Sequence, residues 1–365
     1  MAAFIQSIGT SLPPNLASQD QIADFMAEHL NLSEQEERKL RVLYRASGIK
    51  QRYSVLKDFS QRLNGQSFFK EDAAFPSAKP RMMIYQKYAI GLAKEACERA
   101  INIASTKKSE LTHLISVSCT GMYAPGLDIE LIDQLRMPTS TQRTSINFMG
   151  CYAAFNAMKV ANSIINSDSN AKVLIVCVEL CSIHLQDKTD DENLLANAIF
   201  GDGAAAMVIS SKVSNRSLEL KNFFSDLALQ ARGEMGWYIG DHGFEMHLSS
   251  KVPDVIKEGI GKLTQRLLHS IKLSVSDIDF FAIHPGGKRI LDVIEEKLSI
   301  TKDQNQDARD ILRTHGNMSS PTVLFVIKKI FDSLKESDTE KHLLTFAFGP
   351  GLTMESAVLK THIRA

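Results

Sequence analysis

The sequence predicts an α/β protein built from two duplicated halves, residues 1–211 and 212–365. Three observations lead there. Continuous apolar strands alternate with helices, a pattern of sheets covered on both faces. Short motifs recur in the same order in each half. Their spacing also matches: Cys151 lies thirty-three residues after Ser118, and Asn317 lies thirty-three residues after His284.

Each element of the repeat has a counterpart. The apolar strand His113-Leu-Ile-Ser-Val-Ser-Cys119 ends in a small-residue turn, as Asp279-Phe-Phe-Ala-Ile-His284 ends in Pro-Gly-Gly. Cys151 opens the apolar helix Tyr152-Ala-Ala-Phe-Asn-Ala-Met, and Asn317 opens Met318-Ser-Ser-Pro-Thr-Val-Leu. Val173-Leu-Ile-Val-Cys-Val then matches Leu343-Leu-Thr-Phe-Ala-Phe348. Phe200-Gly-Asp-Gly before Ala204-Ala-Ala-Met-Val-Ile matches Phe348-Gly-Pro-Gly before Leu352. The duplication predicts a pseudo-twofold that carries Cys151 and Asn317 to equivalent helix starts. Residues 212–217 form the polar join after the apolar run ends at Ser210. Residues 301–310 and 58–81 read as loops, and residues 33–47 as a helix.

Bulk properties narrow the function. A chain of 365 residues with 44% hydrophobic content can bury a large core. Lys+Arg and Asp+Glu both number 42, so no global field draws nucleic acid or a membrane surface. The N-terminus reads as a first strand and not as a signal peptide. No window approaches the roughly 20 apolar residues of a membrane span. Five cysteines (97, 119, 151, 177 and 181) read as free thiols in a reducing cytoplasm.

Three residues carry the chemistry. Cys151 follows Gly150 at a helix start, where backbone N–H groups favour a thiolate and a nearby imidazolium would favour it further. A packed core thiol is the plain alternative for a lone Cys. His284 ends a strand before Pro-Gly-Gly, a turn that admits close approach. Asn317 is a competent helix cap, but paired with His284 it makes a donor pair for a developing enolate. Cys97 and Cys177 read as core. Cys119, at the turn equivalent to His284-Pro285, is expected to face the same cavity. His113, His242, His247 and His315 show no metal-ligand spacing with the cysteines, so no metal site is expected.

Gly150-Cys151, Phe200-Gly-Asp-Gly-Ala-Ala-Ala, His284-Pro-Gly-Gly, Gly316-Asn-Met-Ser-Ser320 and Phe348-Gly-Pro-Gly together resemble the type III polyketide synthases, the chalcone synthase-like branch of the thiolase superfamily. The resemblance runs from Ile49-Lys-Gln-Arg-Tyr53 to Thr353. It implies a thiolase-like αβαβα layered fold, a homodimer, and acyl-CoA and malonyl-CoA as substrates, with no other cofactor and no carrier-protein domain. It also implies that Cys151 accepts the acyl group, with His284 and Asn317 completing a triad. Phe200 matches a gatekeeper phenylalanine, and Met246 replaces the second one. Cys119 stands where plant enzymes have a threonine. Glu179 and Ser319 match positions that join that hydroxyl in steering ring closure, and Thr120 falls beside them. Ala124 replaces a methionine that in plant enzymes reaches into the partner's cavity, and these differences point away from a flavonoid product. Arg38, Lys39, Arg41 and Arg45 form a basic helix face, with Lys50 and Arg52 just beyond. A solvated surface is its ordinary reading, but Lys39 and Arg45 lie near the family's CoA-phosphate positions.

The implied product is a pyrone or phenol made by repeated decarboxylative condensation. Two other readings compete: a β-ketoacyl synthase III-like single condensation, and a non-catalytic CoA-binding protein of the same fold.

Overall fold

The computed structural model describes residues 1–61, 67–70 and 75–364. In chain order its strands are β1 (Phe4–Ser11), β2 (Asn15–Ser18), β3 (Gln51–Ser54), β4 (His113–Ser118), β5 (Gln142–Asn147), β6 (Lys172–Leu180) and β7 (Asp202–Ser210). There follow β8 (Arg216–Leu227), β9 (Met235–Gly240), β10 (Gly243–Leu248), β11 (Phe280–Ile283), β12 (His342–Gly349) and β13 (Thr353–Ile363).

Nine strands join in the order β5-β4-β6-β7-β1-β8-β13-β12-β11. The order is nearly palindromic, and the duplication explains it. β4 runs parallel to β6 as β11 does to β12. β6–β7, β7–β1, β12–β13 and β13–β8 are all antiparallel. Between the two half-sheets lies only a short pairing, Phe4 opposite Glu219 and Ile5 opposite Leu218. β5 is an extra edge strand of the first half, with most of its side chains exposed.

The helices form three layers around these half-sheets. Ala78–Ile103 covers β1, β6 and β7, and Val252–His269 covers β8 and β13. Ala153–Ser167 packs on β4, β5 and β6 but also on β13. Thr322–Ser333 packs on β11 but also on β1 and β7. These two central helices therefore serve both half-sheets, which gives the order α–β–α–β–α. Every residue of β7 is buried, as are all but the first of β6. That burial is why these strands read as unbroken apolar runs.

Several local expectations are corrected. Residues 301–310 are not all loop, because a helix spans Gln306–His315. Its buried Ala308, Ile311 and Leu312 recur at helical spacing within a polar stretch. Asn317 does not open a helix: the next one starts at Thr322, after Pro321 as N-cap. Cys151 sits in a 3₁₀ turn, Gly150–Tyr152, with the α-helix starting at Ala153. Within residues 58–81, 62–66 and 71–74 lie outside the described residues, and the chain is already helical from Ala78. The basic helix spans Glu34–Ala46, capped by Ser33, whose side chain accepts from the Glu36 N–H. No helix among the described residues is long and apolar enough to cross a membrane.

Among the ion pairs that join the halves, one ties a central helix to the second half-sheet and has a buried carboxylate. Lys159 Nζ, on a central helix, lies 2.5 Å from Glu355 on β13 and 2.6 Å from Ser225 Oγ on β8. Glu355 is only 3% exposed, so Lys159→Met should strand a buried carboxylate. Because Lys159 is itself partly in water, the expected loss is about 1–3 kcal/mol by chemical denaturation. Adding Glu355→Gln should recover part of that loss. Additive losses would show that the pair does not couple the halves.

Candidate active site

Cys151, His284 and Asn317 come from separate segments and meet at one cavity of about 380 Å³. The Cys151 turn is held from two directions. Gly150 has φ +76°, and a Cβ there would lie 2.5 Å from Pro350 Cδ of the second half. The Gly150 N–H donates to Cys119 Sγ at 3.0 Å. Only glycine meets both the left-handed backbone and the close approach.

Asn317 is held by the first half. Its N–H donates to the Ile199 carbonyl at 2.8 Å, and its carbonyl accepts from the Gly201 N–H at 2.9 Å. Its Oδ1 accepts from the Ser319 N–H at 2.8 Å, so the amide is oriented by the turn that follows. Cys151 Sγ lies 3.9 Å from Asn317 Nδ2 and 4.0 Å from Oδ1.

His284 follows β11, and its N–H donates to the Phe346 carbonyl at 2.9 Å. The side chain is 1% exposed, yet neither ring nitrogen has a hydrogen-bond partner among the described residues. Buried polar atoms are rarely left so. Here the ring borders the cavity, where a substrate oxygen could meet it.

Burial dominates the electrostatics. It pushes the Cys151 thiol up to about 11, against opposing hydrogen bonds from Ser319 and Asn317. It pushes the His284 imidazole down to about 3. The thiolate expected from the helix start is thus outweighed by loss of water, and neutral thiol and neutral imidazole are favoured.

The cavity brings together Cys119, Thr120, Cys151, Phe200, Met246, His284, Asn317 and Ser319. Glu179 stands behind this wall. Fully buried, it accepts from Thr120 Oγ1 at 2.8 Å, the Cys119 N–H at 2.9 Å, Ser118 Oγ at 3.3 Å and Ser320 Oγ at 2.5 Å. Of the adjacent serines 319 and 320, Ser320 bonds Glu179, while Ser319 turns toward Cys151. The Cys119 thiol meets Gly150 and its amide meets Glu179. Lys39 and Arg45 do not line the cavity. Both are exposed on the Glu34–Ala46 helix, whose end contributes Leu43 and Ala46 to the lining.

The sequence reading missed His184, Trp237, Lys288 and Arg289, which also line the cavity. His184 had a signal: it closes the turn after β6 much as His284 follows β11. Arg52, grouped with the surface basic run, is instead buried at the cavity edge. It donates to the carbonyls of Asn197 and Phe200.

Burial raises the Glu179 carboxyl from its ordinary value to about 7. The folded chain therefore keeps a proton that the unfolded chain releases near pH 4.5, and this group's contribution to stability falls as pH rises from about 4.5 to about 7. Glu179→Gln should flatten that part of the pH–stability curve, measured by denaturation at several pH values. Glu179→Leu leaves four buried donors without their acceptor, at about 1–3 kcal/mol each, and should be the most destabilised variant. An unchanged curve in the Gln variant would show that Glu179 is ionised throughout.

Comparison with known proteins gives a consistent result. The model for the N-terminal domain of chalcone and stilbene synthases matches residues 1–213, and that for their C-terminal domain matches residues 220–362. The chain is 30% identical over 358 residues to the alpha-pyrone synthesis polyketide synthase-like Pks18 of Mycobacterium tuberculosis, covering 97% of this chain and 90% of that one. It is 29% identical to probable polyketide synthase 1 of Dictyostelium discoideum, where the match covers 98% of this chain but 11% of that much longer protein. Among solved structures, PKS-I from the brown alga Ectocarpus siliculosus superposes with a TM-score of 0.93 at 28% identity, covering 99% of this chain and 98% of that one. The C-terminal type III polyketide synthase domain of Steely1 from Dictyostelium gives 0.89 at 28% identity, with 99% of each chain covered. The chain therefore belongs to the chalcone and stilbene synthase family, and is a type III polyketide synthase of thiolase-like fold, an acyltransferase-type enzyme.

Proposed function

We propose that the enzyme loads an acyl group from a CoA thioester onto Cys151 and extends it repeatedly with malonyl-CoA at the same site. One observation carries the reading: Cys151 Sγ stands 3.9 Å from Asn317 Nδ2, beside a cavity onto which the unpartnered His284 ring also opens. In this reading residues 1–211 supply the nucleophile and residues 212–365 supply the two donors.

The steps follow from those groups. The Cys151 proton passes to His284 as sulfur attacks the starter thioester, and CoA leaves as the thiol with that proton. Malonyl-CoA then binds with its thioester oxygen between the His284 N–H and Asn317 Nδ2. The bond to its carboxylate breaks, CO2 departs, and the electron pair becomes an enolate whose oxygen both donors hold. The enolate carbon attacks the acyl carbonyl, the C–S bond to Cys151 breaks with its electron pair going to sulfur, which takes a proton from water, and a β-ketoacyl-CoA two carbons longer is ready to reload. The name of the Mycobacterium relative favours lactonisation to a pyrone.

Lys39 and Arg45 are exposed and form no ion pair among the described residues, so they are available to CoA phosphates at the mouth. The exposed edge strand β5 suits a homodimer.

His284→Ala and Asn317→Ala should each lower CO2 release from malonyl-CoA by about 10²–10³. Cys151→Ala should retain decarboxylation and make no polyketide. Near-normal CO2 release in both donor variants would overturn the shared-donor role.

A further inference from the structure

Outside the three residues of the proposed reaction, two rings make directed polar contacts at the cavity. His184 is buried, with Nε2 2.7 Å from the Thr120 carbonyl and Nδ1 2.9 Å from the Phe244 N–H. Phe244 can only donate from that amide, so Nδ1 accepts and Nε2 carries the hydrogen. Burial lowers the imidazole to about 3, which keeps this neutral tautomer across the working pH range. The ring stacks on Phe244 at 4.5 Å and meets the Trp237 edge at 5.5 Å. Trp237 Nε1 in turn donates to the Cys119 carbonyl at 2.7 Å.

Two consecutive carbonyls, Cys119 and Thr120, are thus each held by a ring N–H. Trp237 lies on β9, and Phe244 lies on β10 of the same hairpin. The hairpin also brings Met235, Met246 and Leu248 to the cavity wall. On its other side the turn is fixed by Glu179 and by the Gly150 N–H, one residue from Cys151.

We propose that His184 and Trp237 are positioning residues that clamp the hairpin to the Cys119–Thr120 turn and so fix the wall against which the growing chain is held. The inference rests on the polyketide synthase reading above. Among the described residues neither ring is hydrogen-bonded to Asn317 or His284 or stacked on His284, so the clamp acts on the Cys119–Thr120 wall and not on the donors that drive decarboxylation. Without a ring N–H, a buried carbonyl loses its partner. The turn is then free to rotate, Cys119 leaves Gly150, and the wall loosens.

The test uses the full-length enzyme with hexanoyl-CoA and malonyl-CoA. Trp237→Phe removes the indole N–H and keeps most of the volume. His184→Leu removes both contacts, and His184→Gln can restore both, donating from its amide nitrogen and accepting on its oxygen. In Trp237→Phe and His184→Leu the share of the longest product should fall about fivefold and shorter lactones accumulate, a change larger than any in CO2 release or in the KM for malonyl-CoA. His184→Gln should return the product ratio to within about twofold of wild type. Unchanged product ratios in folded Trp237→Phe would overturn the proposal. So would a parallel fall in CO2 release and all products, which is what general loosening produces. Should His184→Leu fail to fold, Trp237→Phe and His184→Gln decide. A wild-type enzyme that releases no CO2 from malonyl-CoA would instead refute the functional reading beneath the proposal.

Discussion

The site depends on an exchange of contacts across the pseudo-twofold. Cys151 and Asn317 each sit on a turn held by the Phe-Gly loop of the other half. Cys151 belongs to the first half, and Pro350 of the second packs against the Gly150 that precedes it. Asn317 belongs to the second half, and its main chain is bonded on both sides to Ile199 and Gly201 of the first. Phe200 and Asn317 form an isolated bridge between strand-like segments. Neither half alone carries the geometry. The two half-sheets share only a short pairing at β1 and β8, so these loop contacts and the central helices carry much of the register between sulfur and amide.

Dryness is the second constraint. Burial pushes the Cys151 thiol up to about 11 and the His284 imidazole down to about 3, so both groups favour their neutral forms. In the proposed reaction, proton transfer from Cys151 to His284 would create two opposite charges that stabilise each other as the thioester is attacked. The same dryness strengthens the hydrogen bonds that an enolate oxygen would receive. Glu179 illustrates the converse. Its buried carboxyl, surrounded by four donors, holds the back of the wall without reaching the cavity.

Much of this was legible in the chain. Matched spacing of Ser118–Cys151 and His284–Asn317 revealed the duplication, because a repeat conserves distance along the sequence even where residue identity has drifted. Buried strands β6 and β7 declared themselves as unbroken apolar runs. The failures are also physical. Gln306–His315 looked like loop because its apolar residues number few among charges, although their spacing is helical. Asn317 looked like a helix start, but Pro321 and the left-handed Ser319 delay the helix to Thr322. Arg52 looked like surface charge because sequence does not show that helix-end carbonyls await it. His184 and Trp237 are joined only by tertiary folding, through a hairpin some fifty residues along the chain.

Three free thiols, Cys119, Cys151 and Cys181, border one cavity, so locating the acyl group is the most direct test of the central claim. The enzyme would be incubated with hexanoyl-CoA alone, quenched in acid, digested and analysed by mass spectrometry. The account predicts a hexanoyl adduct on the peptide containing Cys151 and none on those containing Cys119 or Cys181. An adduct carried by either of those thiols while Cys151 stays free would contradict it.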